Sequence, residues 1–242
     1  MIITMLGTGG FDNEGLPFNS FLMDDSILVE TPPDIIVSLG REKKPLAVID
    51  TVYVSHSHGD HLFGIPFLLF NMWKGRSGGA GPNIVGPAEL EARVRDLAIL
   101  AIGPDHPYID WIAASCRFQA IDEGTHARIG EYDAEFYRMA HPKETYGFGL
   151  RRNGELLFQY LPDTLWTDRV AALFDMRSRV VLCDVNGTGG VKSVHMGAED
   201  VARNAIGASE AGTRVIGTHL SRAITEPVGF VEIAKPGMLI RV

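Results

Sequence analysis

Residues 51–64 read TVYVSHSHGDHLFG. A β-branched and aromatic run, Thr51 to Val54, passes directly into three imidazoles and a carboxylate within the six positions His56 to His61. In an extended segment residues two apart point the same way, so His56 and His58 aim two ring nitrogens at one ion just past the end of a strand. Gly59 then permits a sharp turn, and Asp60 and His61 follow at the head of the next helix, where they address a second ion. Four adjacent polar side chains of this kind are not buried without partners. Imidazole with carboxylate suits zinc, manganese or iron better than it suits magnesium or calcium, which prefer oxygen throughout.

Around this stretch, apolar runs of four to eight residues alternate with turn signals, and amphipathic stretches fall between some of them, which predicts layers of both strands and helices. Strands are expected at 1–6, 19–23, 26–30, 50–54, 82–85, 116–120, 133–139, 146–151, 155–161, 179–183, 213–217 and 237–241. Helices are expected near 33–41, 62–72, 87–101, 166–175 and 198–211, the last with Val201, Ala205, Ile206 and Ala208 on its apolar stripe. The glycine-rich segment 75–87 reads as a surface connection, with a lid as the alternative. Residues 102–112, IGPDHPYIDWI, read as an irregular insertion whose aromatics rim a pocket. The opening LGTGG is not a GxGxxG, and Phe11-Asp12-Asn13 stands where a helix would have to begin, so it reads as a tight turn rather than a dinucleotide loop.

The chain has 242 residues, 45% of them hydrophobic and 21% charged, the composition of an ordinary globular protein. Without an internal repeat or Pro-rich linker, a single domain over 1–242 is the expectation. The net charge of −8 argues against broad capture of nucleic acid, which needs clustered Lys and Arg. No apolar run approaches the roughly 20 residues of a membrane helix, and MIITMLGTGG lacks the features of a signal peptide, so a cytoplasmic protein with no membrane partner is expected. Cys116 and Cys183 lie in apolar contexts without CxxC partners and read as buried free thiols.

His56-Ser57-His58-Gly59-Asp60-His61 resembles the HxHxDH signature of the metallo-β-lactamase superfamily. That resemblance implies an α/β fold, a four-layer αββα sandwich with a dinuclear site on one edge of its two sheets. It also implies three further ligands: a later His, a bridging Asp and a last His. By order along the chain these are His141 in RMAHPKETYGFGL, Asp163 in FQYLPDT and His219 in VIGTHLSR, each where a strand gives way to a loop. His106 and His126 are the rivals of His141. Asp184 in VVLCDVNG is the rival of Asp163, although relatives use the later acid to support ligands.

Within the superfamily the running order LGTGG, SHSHGDH, HPKETYGFG, PDT, VHMGAED and THLSR is similar to the branch that includes ribonuclease Z and the small cyclic-phosphate phosphodiesterases, and VETPPDI resembles the acid-proline segment of the latter. The resemblance implies two divalent ions, zinc first, with manganese or iron as alternatives. It further implies in-line attack on phosphorus by a hydroxide that bridges them, with Asp60 orienting that nucleophile and His195 protonating the leaving alkoxide. The bland alternative for His195 is a helix cap. The expected substrate is a small or cyclic phosphodiester. Lactonase or thioesterase chemistry, tRNA 3′-end processing, and a metal-bound scaffold without turnover are the competing readings, and a homodimer is left open. Pro162 replaces the glycine that relatives place before the bridging aspartate, and the long glycine- and proline-bearing arm of ribonuclease Z has no counterpart, which lowers the expectation of a tRNA substrate.

Overall fold

The computed structural model describes residues 1–242 apart from 188–193, 223 and 225. The chain runs β1 (Ile2–Gly7), β2 (Ser20–Met23), β3 (Ile27–Val29), α1 (Ile35–Arg41), β4 (Thr51–Tyr53), α2 (Gly59–Leu62), α3 (Ile65–Gly75), β5 (Asn83–Pro87), α4 (Leu90–Ile102), α5 (Pro107–Ser115) and β6 (Arg117–Ile121). It continues β7 (His126–Ile129), β8 (Tyr132–Arg138), β9 (Tyr146–Arg152), β10 (Glu155–Leu161), α6 (Asp168–Asp175), β11 (Val180–Asp184), α7 (Ala198–Asn204), α8 (Ile206–Glu210), β12 (Arg214–Thr218), β13 (Glu232–Ile233) and β14 (Leu239–Arg241). These strands form two sheets of seven, ordered β14-β1-β2-β3-β4-β5-β6 and β13-β12-β11-β10-β9-β8-β7.

Side-chain alternation produces four layers. Phe21, Met23 and Tyr53 face the cluster between the sheets, with Phe136, Phe148, Phe158 and Tyr160 opposite. Their neighbours Leu22, Val52 and Val54 point outward, under the helices that carry Leu39, Leu68, Val94 and Trp111. On the far side Val181 and Cys183 of β11 pack against Val170, Phe174 and Val201. Three apolar interfaces thus join helices, sheet, sheet and helices, the expected αββα sandwich. Tyr53 also donates its hydroxyl to Tyr146 O at 2.6 Å, across the two sheets.

Register brings the strand ends to one edge. β10, β11 and β12 are parallel, with Leu161 opposite Cys183 and Asp184 opposite Thr218, so the chain leaves all three on the same side. β4 lies parallel between β3 and β5 in the other sheet. Ligands of open α/β sheets commonly bind beyond the carboxyl ends of such strands.

Several expected elements differ. The helix expected at 62–72 is two helices, α2 and α3, separated at Gly64. A Cβ there would lie 2.0 Å from Pro32 O, and Gly64 N–H donates to Thr31 O, so close backbone approach dictates the break. Residues 102–112 are not an irregular pocket rim, because most of the segment enters α5. Pro107 occupies its first turn, the His106 side chain accepts from Tyr108 N–H at 3.1 Å, and Tyr108, Trp111 and Ile112 are buried. The helix expected at 198–211 breaks at Ala205, and Ile206 is 53% exposed instead of lying on the buried stripe. β7 and the two-residue β13 were not expected.

The glycine-rich segment after α3 packs on α5, where Trp111 Nε1–H donates to Gly79 O at 2.6 Å. LGTGG does more than turn toward β2. Gly9 bridges to both Phe18 and Leu220, and Gly10 N–H donates to Leu220 O. Both cysteines are buried and free. Among the described residues no helix is long and apolar enough to cross a membrane.

Candidate metal centre

Four strand ends and one short helix deliver the candidate ligands. β4 runs into His56 and His58, the latter extended at φ −67° and ψ 154°. The chain turns over Gly59 and Asp60, where His61 N–H donates to His58 O at 3.1 Å, and Gly59 does so without a positive φ. Asp60 and His61 lie in that helix and are buried. His141 follows β8, Asp163 follows β10 and His219 follows β12. His219 adopts φ +61°, a left-handed conformation that a non-glycine residue keeps only where its surroundings hold it.

All seven expected ligands are brought together, in two clusters. In the first, His58 Nδ1 lies 3.0 Å from His56 Nε2 and 3.3 Å from His141 Nε2, and Asp163 Oδ2 stands 3.7 Å from His56 Nε2 and 3.9 Å from His141 Nε2. In the second, Asp60 Oδ2, His61 Nε2 and His219 Nε2 are 3.1 to 3.4 Å apart. Asp163 Oδ1 lies 3.3 and 3.4 Å from those two imidazoles. One carboxylate therefore turns one oxygen toward each cluster.

These separations fit a metal. Ligand atoms about 2.0 Å from a tetrahedral zinc stand about 3.3 Å from one another. The orphaned polar atoms agree with that fit: Asp163 Oδ1 is buried with no hydrogen-bond partner although two imidazoles face it. A buried acceptor in that state is costly unless something else satisfies it.

The electrostatics separate the two clusters. Burial, reinforced by the charge on His61, holds His56 well below the usual histidine range, and burial also lowers His58 and His141. In the second cluster burial opposes charge but loses. Asp60, Asp163 and Glu30 hold His61 well above its ordinary value, and Asp163 with Asp184 pushes His219 up to about 10. Conversely, burial would raise Asp163 and Asp60, yet the facing His219 and His61 keep both far down. Proton affinity is thus raised on the His61 and His219 rings and lowered on the Asp60 and Asp163 carboxylates that face them.

His195 joins the same edge. Its Nδ1 lies 2.7 Å from Asp184 Oδ2 and 3.9 Å from Asp163 Oδ2. Burial would depress this imidazole, but the Asp184 hydrogen bond raises it overall. The capping alternative for His195 fails, because α7 is capped by Gly197, whose N–H donates to Asp200 Oδ2 at 3.0 Å. Asp184 supports its neighbours: it accepts from Thr164 N–H and Asn186 N–H and stands 3.4 Å from His219 Nδ1. The rivals of His141 fall elsewhere, His106 at the start of α5 and His126 exposed on β7.

A layer beneath the ligands carries residues without an expected role. Ser55 Oγ lies 2.9 Å from His56 Nδ1. Glu30, fully buried at φ +64°, accepts from Ser55 N–H and the Tyr160 hydroxyl and stands 3.4 Å from His61 Nδ1. Asn19 donates to Tyr160 Oη at 2.9 Å and accepts from Thr218 Oγ1 at 2.7 Å. Such outer partners orient metal-binding imidazoles. The available signal was a single acid closing the apolar strand ILVE.

Comparison with known proteins places this edge in a wider setting. The fold is shared with the metallo-β-lactamase fold protein YhfI from Bacillus subtilis, at a TM-score of 0.76 and 20% identity over 99% of this chain and 98% of that one. It is shared as well with human tRNase Z, short form (ELAC1), at 0.74 and 18% over 100% and 99%. Ribonuclease Z of Clostridium tetani is 31% identical over 118 residues, which are 45% of this chain and 34% of that relative, so the match spans about a third of the relative's length. Residues 1–206 match the family described as "Anti-Pycsar protein Apyc1", and the chain belongs to that family, on the metallo-β-lactamase fold.

Proposed function

We propose that the chain is a metal-dependent phosphodiesterase, a single hydrolase domain over residues 1–242 that cleaves a small or cyclic phosphodiester. The observation that carries this reading is the Asp163 carboxylate shared between two clusters of ligand atoms, beside a His195–Asp184 pair. His56, His58 and His141 would hold one divalent ion, Asp60, His61 and His219 a second, and Asp163 both. Zinc suits these donors, as do manganese and iron.

Two ions held there would supply positive charge for the phosphoryl oxygens and a lower pKa for the attacking water. The protein does the rest. Asp60 Oδ2 orients the attacking water. Asp184 accepts from His195 Nδ1–H, which leaves Nε2 to carry the proton delivered to the departing alkoxide. Glu30 and Ser55 fix the rings of His61 and His56. Asp60, Asp163, Asp184 and Glu30 are buried, so their fixed charges act at greater strength than in solution.

A small substrate suits the net charge of −8, because a short phosphodiester needs only local positive charge, whereas a long polyanion meets the whole acidic surface. The ribonuclease Z relative favours a second reading, tRNA 3′-end processing, over its matched region. One panel separates these and the lactonase or thioesterase alternatives. Metal analysis is followed by assays on an aryl phosphodiester, cyclic nucleotides, a cyclic ribose phosphate, precursor tRNA, a lactone and a thioester. Hydrolysis of the small phosphodiesters is expected; preference for the lactone or thioester, or for tRNA, overturns the proposal.

A further inference from the structure

We infer that Glu89, at the start of α4, is a positioning residue for the first cluster, acting through the two loops that carry His56, His58 and His141. The inference rests on the metal reading above. Glu89 Oε1 accepts from Ser57 Oγ at 2.6 Å and pairs with Lys143 Nζ at 2.8 Å. Ser57 stands between His56 and His58, and Lys143 lies two positions beyond His141. The first loop leaves β4 in one sheet and the second leaves β8 in the other. One carboxylate oxygen therefore ties together ligand loops from opposite halves of the sandwich.

The other oxygen faces Arg93 Nη2 at 3.5 Å, one turn along α4, so the carboxylate is held from the helix side as well. The tie sits where support is needed. His58, at the meeting point of the first cluster, is its exposed member, whereas His61 and His219 of the second cluster are buried, with Glu30 and Asp184 each 3.4 Å from one ring nitrogen.

Magnitudes decide what kind of effect to expect. The Glu89 and Lys143 side chains are 30% and 29% exposed, and ion pairs at that exposure contribute little to global stability. Loss of a partner that orients metal ligands typically costs about 10- to 100-fold in metal affinity. The consequence should appear in ligand placement, not in folding.

The test is zinc titration of the metal-free protein against a chromophoric chelator, with the thermal midpoint of the metal-free form measured alongside. Wild type is expected to bind two ions. Glu89→Ala should weaken one of them about 10- to 100-fold, leave the other within about two-fold, and leave the metal-free midpoint unchanged. Ser57→Ala and Lys143→Met, which each cut one arm, should weaken the same ion by less. Glu91→Ala, which removes an exposed pair with Arg95 on the same helix, should change neither ion. Unchanged affinities in Glu89→Ala overturn the inference while the metal reading stands, and so does equal weakening of both ions with a lowered metal-free midpoint. A wild-type protein that takes up no zinc overturns the metal reading and the inference with it.

Discussion

Asp184 Oδ2 accepts from His195 Nδ1–H at 2.7 Å, and the same carboxylate receives Thr164 N–H and Asn186 N–H. It is fully buried, so its charge is little screened and acts mainly on the one imidazole beside it and on His219. Burial alone would depress His195, but the hydrogen bond and charge of Asp184 raise it overall, the direction that favours the protonated ring a proton donor requires.

For His195→Ala, kcat on an alkyl phosphodiester should fall by about 10²–10⁴-fold, the range for loss of a positioned acid. An aryl substrate, whose leaving group departs without a proton, should lose far less. Metal content should match wild type. Equal losses on the two substrates in steady-state kinetics would remove His195 from the role of acid.

Asp163 faces both clusters, whereas His141 belongs to one. Asp163→Ala should abolish hydrolysis and reduce the content of both ions, and Asp60→Ala should abolish hydrolysis with reduced metal. His141→Ala should reduce only one ion. Metal analysis after exhaustive dialysis reads the difference, and retention of two full equivalents by Asp163→Ala would show that it bridges nothing.

Beneath the ligands, the hydrogen-bonded chain Thr218, Asn19, Tyr160, Glu30 is fully buried or nearly so. Tyr160→Phe removes the hydroxyl that joins Asn19 to Glu30, leaving two buried polar groups short of a partner, a cost of about 1–3 kcal/mol. Urea denaturation should show a lower midpoint with an unchanged slope. A midpoint equal to wild type would mean that the network does not contribute to the fold.

This network also marks the boundary of what the sequence can show. The ligand loop is legible because its information is local: period-two geometry over Thr51–Val54 and the crowding of four polar groups decide its chemistry without any distant contact. His141, Asp163 and His219 are legible at one remove, through the superfamily resemblance and their order along the chain, since no local pattern ties any of them to the loop at 56–61. Glu30 depends on Tyr160 and Ser55, and its charge at a strand end looks from sequence like an ordinary exit to solvent. The break at Gly64 likewise depends on Pro32 passing within a van der Waals radius. α5 was hidden because Gly103, Pro104 and Pro107 read as turn signals, although proline in a first turn is a sound helix start. β13, two residues long, carries no periodicity at all.

Metal uptake should be coupled to proton release. In the metal-free protein His61 is held well above its ordinary pKa and His219 is pushed up to about 10, so both hold their protons more tightly than an ordinary histidine. A metal takes neutral imidazole, and those protons must leave as it binds. The sign follows: each raised pKa means that protons compete with metal across the whole interval below it, so apparent affinity should rise as pH increases toward about 10. The first cluster should add little to this slope, since burial already keeps His56, His58 and His141 below the usual range. Calorimetric zinc titrations at pH 7.5 in buffers of different ionisation enthalpy should therefore show heats that vary with the buffer. His219→Ala should show less variation, because one of the two displaced protons is then missing. Heats independent of buffer would mean that His61 and His219 are already neutral, and that the carboxylates of Asp60 and Asp163 are balanced in the metal-free state by something other than these two rings.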